Sequence, residues 1–344
     1  MATNTLEGTD ILGKLNHRTA DRGGCYPGLS QANQLLNLLP IGFLAASPLT
    51  PTLSPAKPGE REKEGCRMTT VTLPSGERIP ALGQGTWNIG ESRATRAEEI
   101  ATLRLGLDQG AKLIDTAEMY GDGRSEDLIA EAIGDRRDEA FLVSKVYPQN
   151  ATRKGAVAAC ERSLRRLRTD RIDLYLLHWR GAVPLAETME AFLTLQKAGK
   201  IRHFGVSNLD IGDMRELWSV SGGPGVACNQ LLYNLSRRGI EWDLLPWLRE
   251  RHVPIMAYSP LEQARILGEP KLADFAKRNG MTPAQAALAW LLAPGDVIVI
   301  PKTGNRERLK ENLGAMDHPL TPAQRAELER LFPPPTKAQP LEML

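Results

Sequence analysis

Cysteine is scarce in this chain. Its four residues (Cys25, Cys66, Cys160 and Cys228) are scattered through 344 positions without a C-x-x-C pair, which excludes a disulfide framework and a zinc ribbon. Charge of one sign is equally lacking: 43 basic side chains face 41 acidic ones, for a net charge of +2. No electrostatic footprint for nucleic acid or an anionic membrane is therefore present. No apolar run reaches the roughly 18 residues of a membrane span. The histidines outside the motif region (His17, His203, His252, His318) form no H-x-H or H-E-x-x-H pattern, which argues against a metal centre. What remains is the expectation of a globular cytoplasmic protein, without metal, acting as a monomer on a small-molecule or protein partner.

Residues 1–67 differ from the rest. They hold six prolines and no tryptophan, whereas all six tryptophans lie beyond residue 86. The stretch from Ser47 to Arg61 has neither a strand nor a helix period and reads as a disordered extension. A signal peptide fits poorly, because more than 30 residues would precede an apolar segment that Pro40 interrupts. The proline-rich run also resembles translated intergenic repeat DNA of bacteria, and Met68 offers an alternative start. The functional unit is expected to be 68–344.

Within that unit, strand-like and helix-like segments alternate. Candidate strands are Leu82–Gly85, Leu113–Asp115, Ala140–Lys145, Ile172–His178, Ile201–Ser207, Ala227–Gln230, Ile255–Tyr258 and Val297–Ile300. Amphipathic stretches lie between them, among them Arg93–Gln109, Arg153–Leu167, Leu185–Ala198 and Pro283–Leu292. In Arg153–Leu167 the residues Val157, Cys160, Leu164 and Leu167 share one face, and Arg162, Arg165, Arg166 and Arg168 the other. Strand starts at 113, 140, 172, 201, 227 and 255 are 27, 32, 29, 26 and 28 residues apart. A βα unit repeated eight times at that period closes an α/β (β/α)8 TIM barrel. Thr70–Leu73 and Arg78–Pro80 around Ser75-Gly76 predict an N-terminal β-hairpin capping its bottom. A doubly wound sheet is the rival, but Gly83 and Gly85 are followed by Asn88 where its fingerprint requires a third glycine.

Barrels carry their chemistry at the carboxyl ends of the strands. Those ends read Asp115 with Tyr120 just past it, Lys145, His178, Ser207-Asn208, Gln230, Tyr258 and Pro301-Lys302. Taken singly, each has an ordinary explanation. Asp115 could cap a turn, Lys145 could be a solvated strand end, and His178 a hydrogen-bonded core residue. Their common register on successive strands is what packing does not predict.

The residues from Ile114 to Glu126 (Ile-Asp-Thr-Ala-Glu-Met-Tyr-Gly-Asp-Gly-Arg-Ser-Glu) resemble the first signature of the aldo-keto reductase family. Ile300 to Asn312 resembles its cofactor-phosphate motif, with Thr303 where serine often stands. Leu177-His-Trp179, Gly205-Val-Ser-Asn208 and Ala257-Tyr-Ser-Pro-Leu261 recur in the family in the same order. The likeness spans 68–344. Gln84 to Trp87, Leu176 to Trp179 and Gly239 to Pro246 are similar to a bacterial branch that includes methylglyoxal reductases.

The resemblance implies reduction of small aldehydes, ketones or 2-oxoaldehydes with NADPH. Tyr120 would be the general acid, with its proton loosened by the Lys145 ammonium, and Asp115 would hold Lys145. His178 would hydrogen-bond the carbonyl oxygen. It also implies that Ser207, Asn208 and Gln230 bind the carboxamide, Tyr258 stacks on the nicotinamide, and Gly85, Thr86, Ser259 and Leu261 line the cofactor's path. Lys302, Thr303 and Arg308 would surround a 2′-phosphate, with Glu311 and Asn312 on the adenine side. A guanidinium beside an ammonium suits a phosphate better than a hydroxyl, which favours NADPH/NADP+. Trp87 and Trp179 would wall the substrate pocket, and the short tail after Phe332 predicts an open one. An alternative on the same barrel is an NADPH-binding regulatory subunit, as in potassium-channel β-subunits.

Overall fold

The computed structural model describes residues 69–344. The expected extension over 1–67 and the alternative start at Met68 lie outside them. The chain enters through a hairpin, β1 (Thr70–Thr72) paired antiparallel with β2 (Arg78–Pro80). Gly76, at φ 86°, supplies the left-handed turn between them.

Eight parallel strands follow: β3 (Gln84–Gly85), β4 (Leu113–Asp115), β5 (Phe141–Val146), β6 (Ile172–Leu177), β7 (Ile201–Ser207), β8 (Asn229–Leu232), β9 (Ile255–Tyr258) and β10 (Val297–Val299). They pair in chain order. The first and last then meet, through Val299 N–H to Ala81 O (2.7 Å), Gly83 N–H to Val299 O (2.9 Å) and Gly85 N–H to Pro301 O (3.0 Å). The sheet is thus closed into a barrel without free edges. Around it lie α1 (Arg96–Asp108), α2 (Arg124–Ile133), α3 (Arg153–Leu167), α4 (Leu185–Lys197), α5 (Ile211–Ser219), α6 (Leu244–Glu250), α7 (Pro270–Arg278), α8 (Pro283–Leu292), α9 (Arg306–Leu313) and α10 (Pro322–Leu331). The predicted β8 segment sits two residues early; β4, β7, β9, α3 and α8 match their predicted bounds. Among the described residues no helix is long and apolar enough to cross a membrane.

Side chains alternate along each strand, which separates two cores. Ile114, Leu142, Tyr175, Val206, Ile255 and Val297 face the helices. Leu113, Val143, Leu176, Cys228, Met256 and Ile298 face inward, and Val71, Leu73 and Ile79 of the hairpin plug the bottom of that interior. Glu77 in the hairpin clips this plug to the barrel through Arg202 and His203 of β7, both at 2.7 Å. Space inside is tight. A Cβ on Gly83 would lie 2.5 Å from a Leu113 methyl, and one on Gly205 would lie 2.8 Å from Cys228 O. The inward parity carries upward in steps of two, from 113 to 115, 143 to 145, 176 to 178, 228 to 230 and 256 to 258. Polar residues occupy its last step.

Candidate active site

At that top layer the side chains of Asp115, Tyr120, Lys145, His178 and Gln230 converge. Lys145 Nζ donates to Asp115 Oδ1 (2.8 Å), to Thr116 O (2.7 Å) and to Tyr120 Oη (3.2 Å). Asp115 Oδ2 also accepts from Gln230 Nε2 at 2.9 Å. Lys145 is fully buried, and its partners satisfy all three ammonium protons. Tyr120 follows β4 in a short turn where Gly121 and Asp122 adopt φ 56°. The His178 ring stands edge-on to Tyr120 at 5.8 Å and tilts against Trp179 at 4.8 Å.

Burial works against the Lys145 ammonium, yet Asp115 and Tyr120 outweigh it and hold the group charged, above the usual lysine value. Burial also pushes the Tyr120 phenol above its ordinary value. Lys145 pulls down against that, and the Asp115 carboxylate adds to the rise. The expected lowering by Lys145 is therefore present only as the opposing pull, because the hydroxyl sits in a low-dielectric site. Burial, reinforced by the Lys145 charge, takes His178 down to about 2. His178 is thus a neutral imidazole, and its buried Nδ1 has no partner.

The layer forms the floor of a cleft of about 760 Å³. Apart from Lys145, which lies behind Tyr120, every residue singled out in the sequence lines it: Asp115, Tyr120 and His178; Gly85, Thr86, Ser207, Asn208, Gln230, Tyr258, Ser259 and Leu261; Lys302, Thr303, Arg308, Glu311 and Asn312; and Trp87 and Trp179. Several polar groups among them already have partners. The Thr86 hydroxyl donates to Asp115 O (2.8 Å), and Gln230 donates to Asp115 and to Met256 Sδ. Asn208, at φ 56°, donates to His178 O and Ser207 Oγ and accepts from the Tyr258 hydroxyl at 3.1 Å. At the far end, Arg306 pairs with Glu98 and Lys310 with Glu307. Among the described residues neither Lys302 nor Arg308 has a carboxylate partner, so two cations face the cleft uncompensated. The same residues contain no cluster of metal-ligating side chains.

The model of the Aldo/keto reductase family matches residues 81–332, most of the barrel. The chain belongs to the aldo/keto reductase family. This reductase is 46% identical over 271 residues to the methylglyoxal reductase YeaE of Escherichia coli strain K12, covering 77% of this chain and 95% of that protein. It is 30% identical over 262 residues to a glyoxal reductase of Bacillus subtilis, covering 76% and 92%. A crystal structure of an aldo-keto reductase from Klebsiella pneumoniae in complex with NADPH superposes with a TM-score of 0.78 at 46% identity, covering 80% of this chain and 99% of that one.

Two features of the reductase escaped the sequence. Its C-terminal tail returns to the cleft, where Met343 and Leu344 join the lining while staying about half exposed. Arg237 anchors the tail by bridging Glu342 (2.5 Å) to Glu262 (2.9 Å) in the loop after β9. Nothing local in an aperiodic tail signals such a long-range return. The other feature is on α3, where Arg162 and Arg166 turn inward onto the buried carboxylates of Glu118 and Glu126 (3.2 and 2.6 Å), while Arg165 and Arg168 remain exposed as expected. For the Arg162 pair, a carboxylate set between Ala117 and Met119 was the available signal.

Proposed function

We propose that the protein reduces small aldehydes, ketones and 2-oxoaldehydes of the methylglyoxal kind to alcohols, with NADPH as reductant. The observation that carries this reading is the buried Asp115–Lys145–Tyr120 relay at the floor of a long cleft whose other end holds two unpaired cations. That cleft fits the cofactor: Lys302, Thr303 and Arg308 would hold its 2′-phosphate, Tyr258 its nicotinamide face, and Ser207, Asn208 and Gln230 its carboxamide. Held there, NADPH would be the source of the hydride that the carbonyl carbon requires. The names of the similar Escherichia coli and Bacillus subtilis proteins support the 2-oxoaldehyde class.

The chain's own residues manage the oxygen. A carbonyl being reduced gathers negative charge on oxygen and needs a proton there. Tyr120 holds that proton at neutral pH, and Lys145, kept charged by Asp115, stabilises the phenolate left behind. Neutral His178 presents one ring N–H toward the cleft, where it orients the carbonyl oxygen without competing as an acid. Trp87, 46% exposed, and Trp179 wall the mouth.

Replacing Tyr120 by Phe tests the assignment. The ring and its packing survive, so NADPH affinity should stay within about threefold. Turnover of methylglyoxal should fall by roughly 10² to 10⁴. Lys145→Met should show a comparable defect, and the double variant little more than either alone. Undiminished turnover by Tyr120→Phe on every aldehyde the parent reduces would mean that the proton has another source.

A further inference from the structure

We propose that Glu118 is a positioning residue, the buried carboxylate that sets the contact between Tyr120 and Lys145; this rests on the reading of Tyr120 as the proton donor. Glu118 lies two residues before Tyr120, is 8% exposed, and turns away from the cleft. One carboxylate oxygen accepts from the Tyr147 backbone N–H (2.8 Å) and from Asn150 Nδ2 (3.0 Å). The other accepts from Arg162 Nη2 (3.2 Å). Its own N–H donates to Lys145 O (3.3 Å). Residue 118 therefore grips the end of β5 on both sides of Val146, at Lys145 O and at Tyr147 N. Tyr120 hangs from that grip.

A purely structural demand would not favour a carboxylate here. A buried ion pair rarely stabilises more than an apolar residue of similar size, whereas charge-assisted hydrogen bonds impose direction. The loop is tied to β5 at its start by Thr116 N–H to Val143 O (2.9 Å) and turns beyond Tyr120 through left-handed Gly121 and Asp122. Glu118 is thus the side chain that ties its middle to the end of β5. The same clamp reaches the substrate wall, because the Tyr147 ring packs edge-on against Trp179 at 5.4 Å, and Trp179 against His178.

The test compares Glu118→Ala, Glu118→Gln and Asn150→Ala in the full chain, with methylglyoxal and NADPH. Glu118→Ala frees the loop, and a displacement near 1 Å costs up to about 10²-fold in kcat, while the NADPH Kd should hold within about threefold. The Lys145 ammonium would then act less on the phenol, so the alkaline fall of kcat should move to higher pH. Glu118→Gln keeps an acceptor for Tyr147 and Asn150 and should recover most of the loss. Asn150→Ala removes one donor and should show a smaller kcat loss with the same shift, which covers the case in which Glu118→Ala does not fold. Parent-like kcat and pH profile in these variants would overturn the proposal. So would losses of kcat, stability and NADPH binding that run in parallel with the alkaline limb unmoved. Tyr120→Phe is the control. If it retains turnover, the proton-donor reading itself falls; if it is inactive while Glu118→Ala and Asn150→Ala are not, only the positioning role does.

Discussion

Arg308 shows how much one side chain is asked to do. It is exposed, faces the cleft and has no carboxylate partner among the described residues. If it meets the 2′-phosphate, the charge-assisted contact contributes roughly 1.5–3 kcal/mol. Arg308→Ala should then raise the NADPH Kd about tenfold or more and leave NADH binding nearly unchanged; equal weakening of both cofactors would remove the phosphate assignment. His178 makes a different prediction, about stability. Its folded value near 2 lies below the ordinary 6.5, so between those values the unfolded chain binds the extra proton. Stability present above pH 6.5 is therefore lost as pH falls through that window. His178→Asn should melt with a shallower decline between about pH 6.5 and 4 than the parent. Identical slopes would show that His178 takes up its proton in the folded state at no cost.

At the scale of elements, helix ends place the site. Asn305 caps α9 by accepting from the Arg308 N–H at 3.0 Å, so the cap holds the first turn from which the Arg308 side chain reaches the cleft. Losing such a cap costs about 1 kcal/mol. Asn305→Ala should lower stability by about that amount and weaken NADPH severalfold, and Asn305→Ser, also a good cap, should restore both. A stability loss without any change in NADPH Kd would separate the cap from the phosphate end. Helix α3 was legible in full from its apolar period, and Thr152 caps it by accepting from Gly155 N–H. Its polar face was not legible. Two of its arginines cross to buried carboxylates on another segment, and helical spacing says nothing about what a polar face meets.

For the whole molecule, closure is the decisive event. The bonds of Ala81, Gly83 and Gly85 to Val299 and Pro301 join segments more than 200 residues apart. They seal an interior that the hairpin then plugs with Val71, Leu73 and Ile79. Since hairpin, barrel and cleft all lie within 69–344, a chain begun at Met68 is expected to keep the parent's melting temperature and NADPH-dependent turnover. A lower melting temperature or lost activity on that truncation would show that 1–67 contributes to the fold.

What the residues determine by themselves is whatever repeats or clusters locally. The βα period, the two-residue alternation that carries Asp115, Lys145, His178 and Gln230 to one face, and the five motifs are all short-range, and each is written in adjacent positions. Tertiary structure decided what depends on distance and dielectric. It sank the Tyr120 hydroxyl deep enough for burial to outweigh Lys145, and it left His178 neutral with an unpartnered Nδ1. It also brought Met343 and Leu344 to the cleft and buried Glu118 behind Tyr120. Desolvation and long-range contact belong to the closed barrel, and no stretch of sequence read alone carries them.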